Sequence, residues 1–165
     1  MKQILRNIDN LSNLIGNYIP TSVVILSVRI IIFLIFWMSV QQKIAGVTIP
    51  AIEFGEFTLM SQQHLAFWSV TEITVMIFEN EYALPLLPPT FAAYLATIAE
   101  FFLSLFVLFG FLTRFSAVGF LVMTAVIQIF VYPDAWVTHL TWTALLLVLI
   151  KGGPGKLSVD ETLLR

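Results

Sequence analysis

Four apolar runs of roughly bilayer length constrain the fold more than any other feature of the sequence. They cover residues 21–40, 91–112, 116–132 and 136–150. A helix needs about 20 apolar residues to cross a bilayer, and the short last run is bounded by Trp136 and Lys151. Backbone groups in lipid must be satisfied within the segment, so continuous apolar runs predict helices. The sequence therefore predicts an all-α membrane protein, a four-helix bundle in a single domain over residues 1–165.

Composition supports a membrane protein and excludes several chemistries. The chain is 59% hydrophobic and only 11% charged, whereas soluble domains carry about a quarter charged residues. With a net charge of −2, the chain lacks the excess of basic residues that is typical of nucleic-acid-binding proteins. Because there is no cysteine, disulfides, thiolate metal sites and thiol redox chemistry are excluded.

The distribution of Lys and Arg predicts that both termini are cytoplasmic. In that orientation six basic residues lie on the inner side, and Lys43 is the only one outside. The six are Lys2, Arg6, Arg114, Lys151, Lys156 and Arg165. The outer loops instead carry the acids Glu53, Glu56, Glu72, Glu79, Glu81 and Asp134.

Two further segments have weaker patterns. Residues 1–20 place apolar side chains at helical spacing, which predicts an amphipathic helix on the inner leaflet, with a frayed tail as the alternative. The long outer loop, residues 44–89, begins with a weak alternation of apolar and polar residues, which favours a small hairpin or an extended cap. Residues 64–82 predict a helix that rests at the outer interface.

Arg29 in the first span and Glu100 in the second form a predicted buried polar site. Intramembrane charges are costly and mark a site or a paired partner. The two Cα atoms are expected to differ in depth by about 5 Å, although side chains of antiparallel helices lean toward opposite ends. A direct pair and a mediated one both remain open. The small-residue face around Glu100 predicts that it faces the bundle, and the charges are either packing elements or a functional, proton-accepting site.

Other polar side chains near the outer ends of the spans outline a predicted cavity. They are Gln41, Gln42, Lys43, Gln128, His139 and Trp142. Each also has a simpler interpretation, as an interfacial cap, an interfacial histidine or an interhelical hydrogen bond. No metal site is predicted, since the two histidines, His64 and His139, lie far apart and no ligand spacing occurs. No catalytic residues are assigned, so whether the chain is an enzyme stays open.

Three stretches resemble the DoxX family of small bacterial inner-membrane proteins. They are FENEYALPLLPPTFAAYLATIAE, LFGFLTRFSAVGFLVMTAVIQIFVYPDAW and GGPGKLSVD, within a match over residues 39–160. The family's arginine in the first span matches Arg29, its acid matches Glu100 and its lysine matches Lys43. The family often has glycine three residues before that lysine, where this chain has Val40.

The resemblance implies a four-helix bundle in the bacterial inner membrane with a respiratory or redox association. Some relatives are described as subunits of a thiosulfate:quinone oxidoreductase, and others resemble scaffolds that join redox-defence enzymes at the membrane. The leading hypothesis is therefore a subunit that binds a quinone or a partner redox enzyme. A non-enzymatic scaffold and a carrier of small solutes or protons that uses Glu100 are the alternatives. No intrinsic cofactor is expected, and the oligomeric state is left open.

Overall fold

Four long helices account for the apolar runs. The computed structural model describes residues 2–3, 6, 13, 17–54, 57–60, 62–82 and 84–163. Its helices are α1 (Thr21–Gln41), α2 (Glu72–Ile77), α3 (Pro89–Phe109), α4 (Thr113–Val126), α5 (Trp136–Gly152) and α6 (Val159–Leu163). Two π-helical segments continue α2 and α4, at Phe78–Tyr82 and Ile127–Val131. The strands are β1 (Ile44–Ile49), β2 (Ile52–Phe54), β3 (Phe57–Met60) and β4 (Gln63–Val70).

The predicted bundle is confirmed. Among the described residues three helices are long and apolar enough to cross a membrane, namely α1, α3 and α4 with its π segment, and α5 is a shorter apolar helix of 17 residues. The observed ends of the helices differ from the predicted ones by a few residues, because individual residues start and stop each helix. Pro89 occupies the first turn of α3, and Gly110 ends that helix in the left-handed conformation.

The long helices form a closed ring in which α1 and α4 each pack against both α3 and α5. The rings of Phe36 and Phe120 stack at the centre with centroids 3.9 Å apart, and Leu146 and Leu149 pack in the same cluster. Large apolar side chains such as Phe115 and Val122 are exposed on the outer surface. An apolar exterior of this kind suits lipid rather than water.

One end of the ring, the tail end, is closed by residues 153–163. Gly110 has φ +68°, and a Cβ there would lie 2.5 Å from the Cβ of Ser158. The Asp160 carboxylate accepts hydrogen bonds from the backbone N–H of Leu112 at 2.8 Å and of Thr113 at 3.0 Å. Leu112 occupies the N-cap position of α4 with φ 46°, and its apolar side chain cannot cap the helix. Asp160, near the end of the described chain, supplies the cap instead.

The opposite end, the cap end, is covered by residues 44–82. Strand β1 pairs antiparallel with β4, and β2 with β3, so the predicted hairpin or extended cap is present. The prediction of a helix over residues 64–82 is wrong for its first part, because residues up to Val70 form β4. A short apolar run suits either state, and here pairing with β1 decides it.

Side chains of α1 hold the start of β4 in place. The Gln41 amide donates to the His64 carbonyl at 3.2 Å and accepts from the His64 N–H at 2.5 Å. Thr71 is the N-cap of helix α2, and its hydroxyl accepts a hydrogen bond from the Thr74 N–H at 3.3 Å. The predicted amphipathic helix falls mainly on residues outside the described ranges.

Candidate functional site

Glu100 lies at the middle of α3 on the face that packs into the bundle. Its side chain is 2% exposed, and Oε2 lies 2.5 Å from Lys43 Nζ. Ala93, Ser104 and Val107 on the same face are also buried. Lys43 follows α1 at the cap end and also donates to Ser39 Oγ at 3.1 Å. The buried carboxylate therefore has a lysine, and not an arginine, as its counter-ion.

Arg29 is also buried but lies at the tail end. Nε donates to the Val107 carbonyl at 2.9 Å, and Nη2 donates to that of Leu108. Nη1 donates to the carbonyls of Pro154 at 3.1 Å and Leu157 at 2.5 Å. The guanidinium binds carbonyls that close the bundle and does not contact Glu100.

The direction of side chains explains why the two buried charges do not form the direct pair that was left open. Side chains on a helix lean toward its N-terminus. Arg29 leans toward the tail end, where α1 begins, and Glu100 leans toward the cap end, where α3 begins. Val107 is seven residues from Glu100, which places the arginine's acceptor about 10 Å further along α3.

A cavity of about 430 Å³ opens beside the Lys43–Glu100 pair. Polar groups in its wall come from α1 and the two residues after it, from α2 and its π segment, from α3, from the residue directly after the second π segment and from α5. They are Ser39, Gln42, Lys43, Thr74, Tyr82, Glu100, Tyr132, His139 and Trp142. Much of the remaining wall is apolar, with Phe78, Met123 and Val126 among its residues. Gln42, Lys43, His139 and Trp142 of the predicted cavity set are thus brought together with Glu100.

Gln41 and Gln128 stand outside this cavity. Gln41 supports β4, and Gln128 accepts a hydrogen bond at Oε1 from His139 Nδ1 at 2.7 Å. Gln128 lines a second hollow between α4 and α5, and His139 lines both this hollow and the cavity. Both glutamines therefore position other groups, although neither contacts the cavity.

Two tyrosines that the sequence did not single out complete the rim. The hydroxyls of Tyr82, in the first π segment, and Tyr132, directly after the second, lie 3.2 Å apart. Burial, followed by the hydrogen bond to Tyr132, raises the pKa of Tyr82. The phenol therefore stays neutral at physiological pH and keeps its proton. The signal for this pair was weak, because π segments, which are frequent at functional sites, have no simple sequence pattern.

The family comparison covers most of these residues. The DoxX family model matches residues 24–133, more than half of the chain. This chain belongs to the DoxX family. No curated protein and no solved structure matches it.

The DoxX match includes Arg29, Lys43, Glu100 and Tyr132 but ends before α5. His139 and Trp142 therefore enter the cavity from a helix beyond the matched region. Within the described part of this DoxX protein, no cluster of three His, Cys, Asp or Glu side chains has the arrangement of a metal site.

Proposed function

We propose that this DoxX protein is a redox-associated membrane subunit that binds the headgroup of a quinone in the cavity at the cap end. The observation that carries the proposal is a mostly apolar cavity within a lipid-facing helical bundle, with a buried carboxylate and its partly exposed lysine partner in its wall. A hydrophobic molecule dissolved in the bilayer lies beside such a bundle, so it is the class of ligand that this setting favours.

The size and chemistry of the cavity fit this ligand. Its volume of about 430 Å³ falls within the range of about 300–1,000 Å³ that is usual for small-molecule sites. Trp142, Phe78 and Tyr82 supply aromatic surfaces against which a flat ring can stack. Lys43 uses two of its three N–H groups on Ser39 and Glu100, so the third is available to a ligand oxygen.

A bound quinone takes up two electrons and two protons when it is reduced. The sequence contains no cysteine for an iron–sulfur cluster, so the electrons are assigned to a partner redox enzyme docked at the membrane. The chain itself contributes binding and orientation through Lys43, while Glu100 and His139 at the cavity wall relay protons between the ligand and solvent.

The packing beneath the cavity favours binding over transport through the bundle. Phe36 contacts Trp142 edge to face with centroids 5.4 Å apart, and stacks on Phe120. Both phenylalanines are fully buried. This layer separates the cavity from the tail end, which disfavours a carrier that uses Glu100.

The protein is further proposed to lie in the bacterial inner membrane with both termini in the cytoplasm, which places the cavity toward the outer side. Because the chain has no cysteine, single cysteines test this directly. A membrane-impermeant maleimide should label Met76→Cys, at the exposed surface of the cap end, in intact cells. Lys156→Cys should react only after the membrane is opened, and the reverse pattern would overturn the orientation.

Quinone binding is tested with purified full-length protein and tetramethyl-1,4-benzoquinone. We expect saturable quenching of tryptophan fluorescence, lost in part when Trp142 is replaced by phenylalanine. Lys43→Met should weaken binding about tenfold, the effect of one good hydrogen bond, and Lys151→Met at the exposed tail end serves as the matched control. The double variant Lys43→Met/Glu100→Gln removes both charges, so no carboxylate is left without its counter-ion. It therefore separates a loss of binding from a loss of folding. Wild-type protein without saturable binding would refute the quinone proposal and favour a scaffold.

A further inference from the structure

The orientation of the Gln128 amide is fixed by its second hydrogen bond. Nε2 donates to the Pro133 carbonyl at 2.7 Å, and a carbonyl can only accept. The amide oxygen therefore faces His139 Nδ1 at 2.7 Å. Since that oxygen is also only an acceptor, Nδ1 must carry the hydrogen of the neutral imidazole.

The opposite nitrogen of the same ring is then an unprotonated acceptor. His139 is 4% exposed, and its Nε2 has no hydrogen-bond partner among the described residues. His64 Nδ1 is the one side-chain atom in the described part of the chain that is both fully buried and unpartnered. His139 Nε2 also has no partner but is not among the fully buried atoms, so part of its surface is accessible from an internal space. His139 lines both spaces, and its Nδ1 bonds to Gln128, which lines only the hollow. We therefore place Nε2 on the cavity side of the ring.

The carboxylate in the cavity wall offers a second open acceptor. Lys43 binds Oε2 of Glu100, and Oε1 has no partner among the residues that the structure describes. By the same reasoning as for His139, Oε1 is accessible from the cavity. The cavity thus has acceptors at Glu100 and His139, beside the donor at Lys43.

We infer that the cavity binds the reduced, hydroxyl-bearing form of its ligand, a quinol, more tightly than the quinone. This inference rests on the proposed function and specifies its redox state. A quinol hydroxyl donates to His139 Nε2, and its oxygen still accepts from Lys43. A quinone has no donor, so it leaves both open acceptors without a partner. Gln128 is a positioning residue that acts by fixing the tautomer of His139.

Equilibrium binding of tetramethyl-1,4-benzoquinone and of its hydroquinone to the full chain, without oxygen, tests the preference. We expect the hydroquinone to bind wild-type protein about tenfold more tightly. His139→Phe keeps a ring of similar size and should weaken hydroquinone binding about tenfold while changing quinone binding little. Thr143→Val, which alters the second hollow beside His139 but not the cavity, is the matched control and should change neither.

Nitrogen NMR of the two histidines shows which ring nitrogen carries the proton, and so tests the role of Gln128 without a ligand. Wild-type His139 should show a protonated Nδ1, and Gln128→Leu should shift it toward the Nε2-protonated form and reduce the preference for hydroquinone. Equal binding of both forms, tighter binding of the quinone, or a protonated Nε2 in the wild-type neutral ring would overturn this inference and leave the proposed function standing. Failure of both forms to bind would refute the proposed function as well.

Discussion

Replacing Arg29 by methionine should release the tail from the bundle. The guanidinium joins carbonyls at the end of α3 to carbonyls of the tail, at Pro154 and Leu157. Methionine fills similar space with no donor, so it removes these bonds with little change in packing. The tail would then be held to α3 and α4 mainly by Asp160 and by contacts around Ser158.

The expected loss of stability follows from the partners of each carbonyl. Val107 keeps a backbone partner, the N–H of Gly110 at 3.2 Å. In the tail, the carbonyls of Pro154 and Leu157 lose their bonds to a charged donor, at about 1.5–3 kcal/mol each. Because methionine no longer buries a charge, part of this loss is offset. We therefore expect the free energy of tail docking to fall by about 2–3 kcal/mol.

Trypsin measures this opening because Lys156 lies between the two tail carbonyls that Arg29 binds. When opening and closing are faster than cleavage, the rate of cleavage follows the population of the open form. A loss of about 2–3 kcal/mol should raise that rate roughly 30- to 150-fold. Mass spectrometry of the released C-terminal peptide gives the rate in detergent-solubilised protein.

Arg114→Met is the matched control. Arg114 is exposed at the same end and donates to the Ile150 carbonyl at 3.1 Å, so its loss should change cleavage only a few-fold. Cleavage of Arg29→Met within threefold of the wild-type rate, with the helical signal preserved, would show that the guanidinium does not hold the tail.

Four further outcomes follow from the same contacts. Lys43→Met should lower the unfolding free energy by about 1–3 kcal/mol, and Glu100→Gln should restore part of that loss because it removes the stranded charge; a double-mutant cycle checks this, and additive losses would argue against the pair. The cycle of Arg29 with Glu100 should instead be additive, and a coupling above about 0.5 kcal/mol would contradict the separation of the two sites. Gly110→Ala should cost at least about 1–2 kcal/mol in chemical denaturation, since its left-handed φ strains any Cβ, and a neutral effect would exclude this backbone geometry. Asp160→Ala should lower the thermal midpoint through a loss of about 0.5–2 kcal/mol of capping energy, and an unchanged midpoint would remove the carboxylate from that role.

The helices were predictable because apolar length alone sets them. The runs at residues 21–40 and 136–150 lie within two residues of α1 and α5 at each end. The inward face of Glu100 followed from small residues at helical spacing, since only packed helices bury such a face. These features depend on local sequence and on the thickness of the bilayer.

The partners of the buried charges were not predictable in the same way. Lys43 had the simpler interpretation of an interfacial cap, and only the path of the chain after α1 turns it toward Glu100. The acceptors of Arg29 are backbone carbonyls, which have no sequence signature. Strand β4 also depended on a distant partner, because its pairing with β1 selects one of two states that the short run allows.

The hydrogen bonds of the Arg29 guanidinium to distant carbonyls have a consequence for the order in which the chain is made. The carbonyls that Arg29 binds lie from 78 to 128 residues further along the sequence. Helix α1 therefore enters the bilayer carrying a cation whose acceptors have yet to be synthesised. A mid-membrane arginine costs about 2.5–3.5 kcal/mol on insertion scales, and the mean hydropathy of 2.6 in α1 supplies the compensation. The helix inserted first is thus the one completed last, when the chain emerging behind α5 reaches its guanidinium.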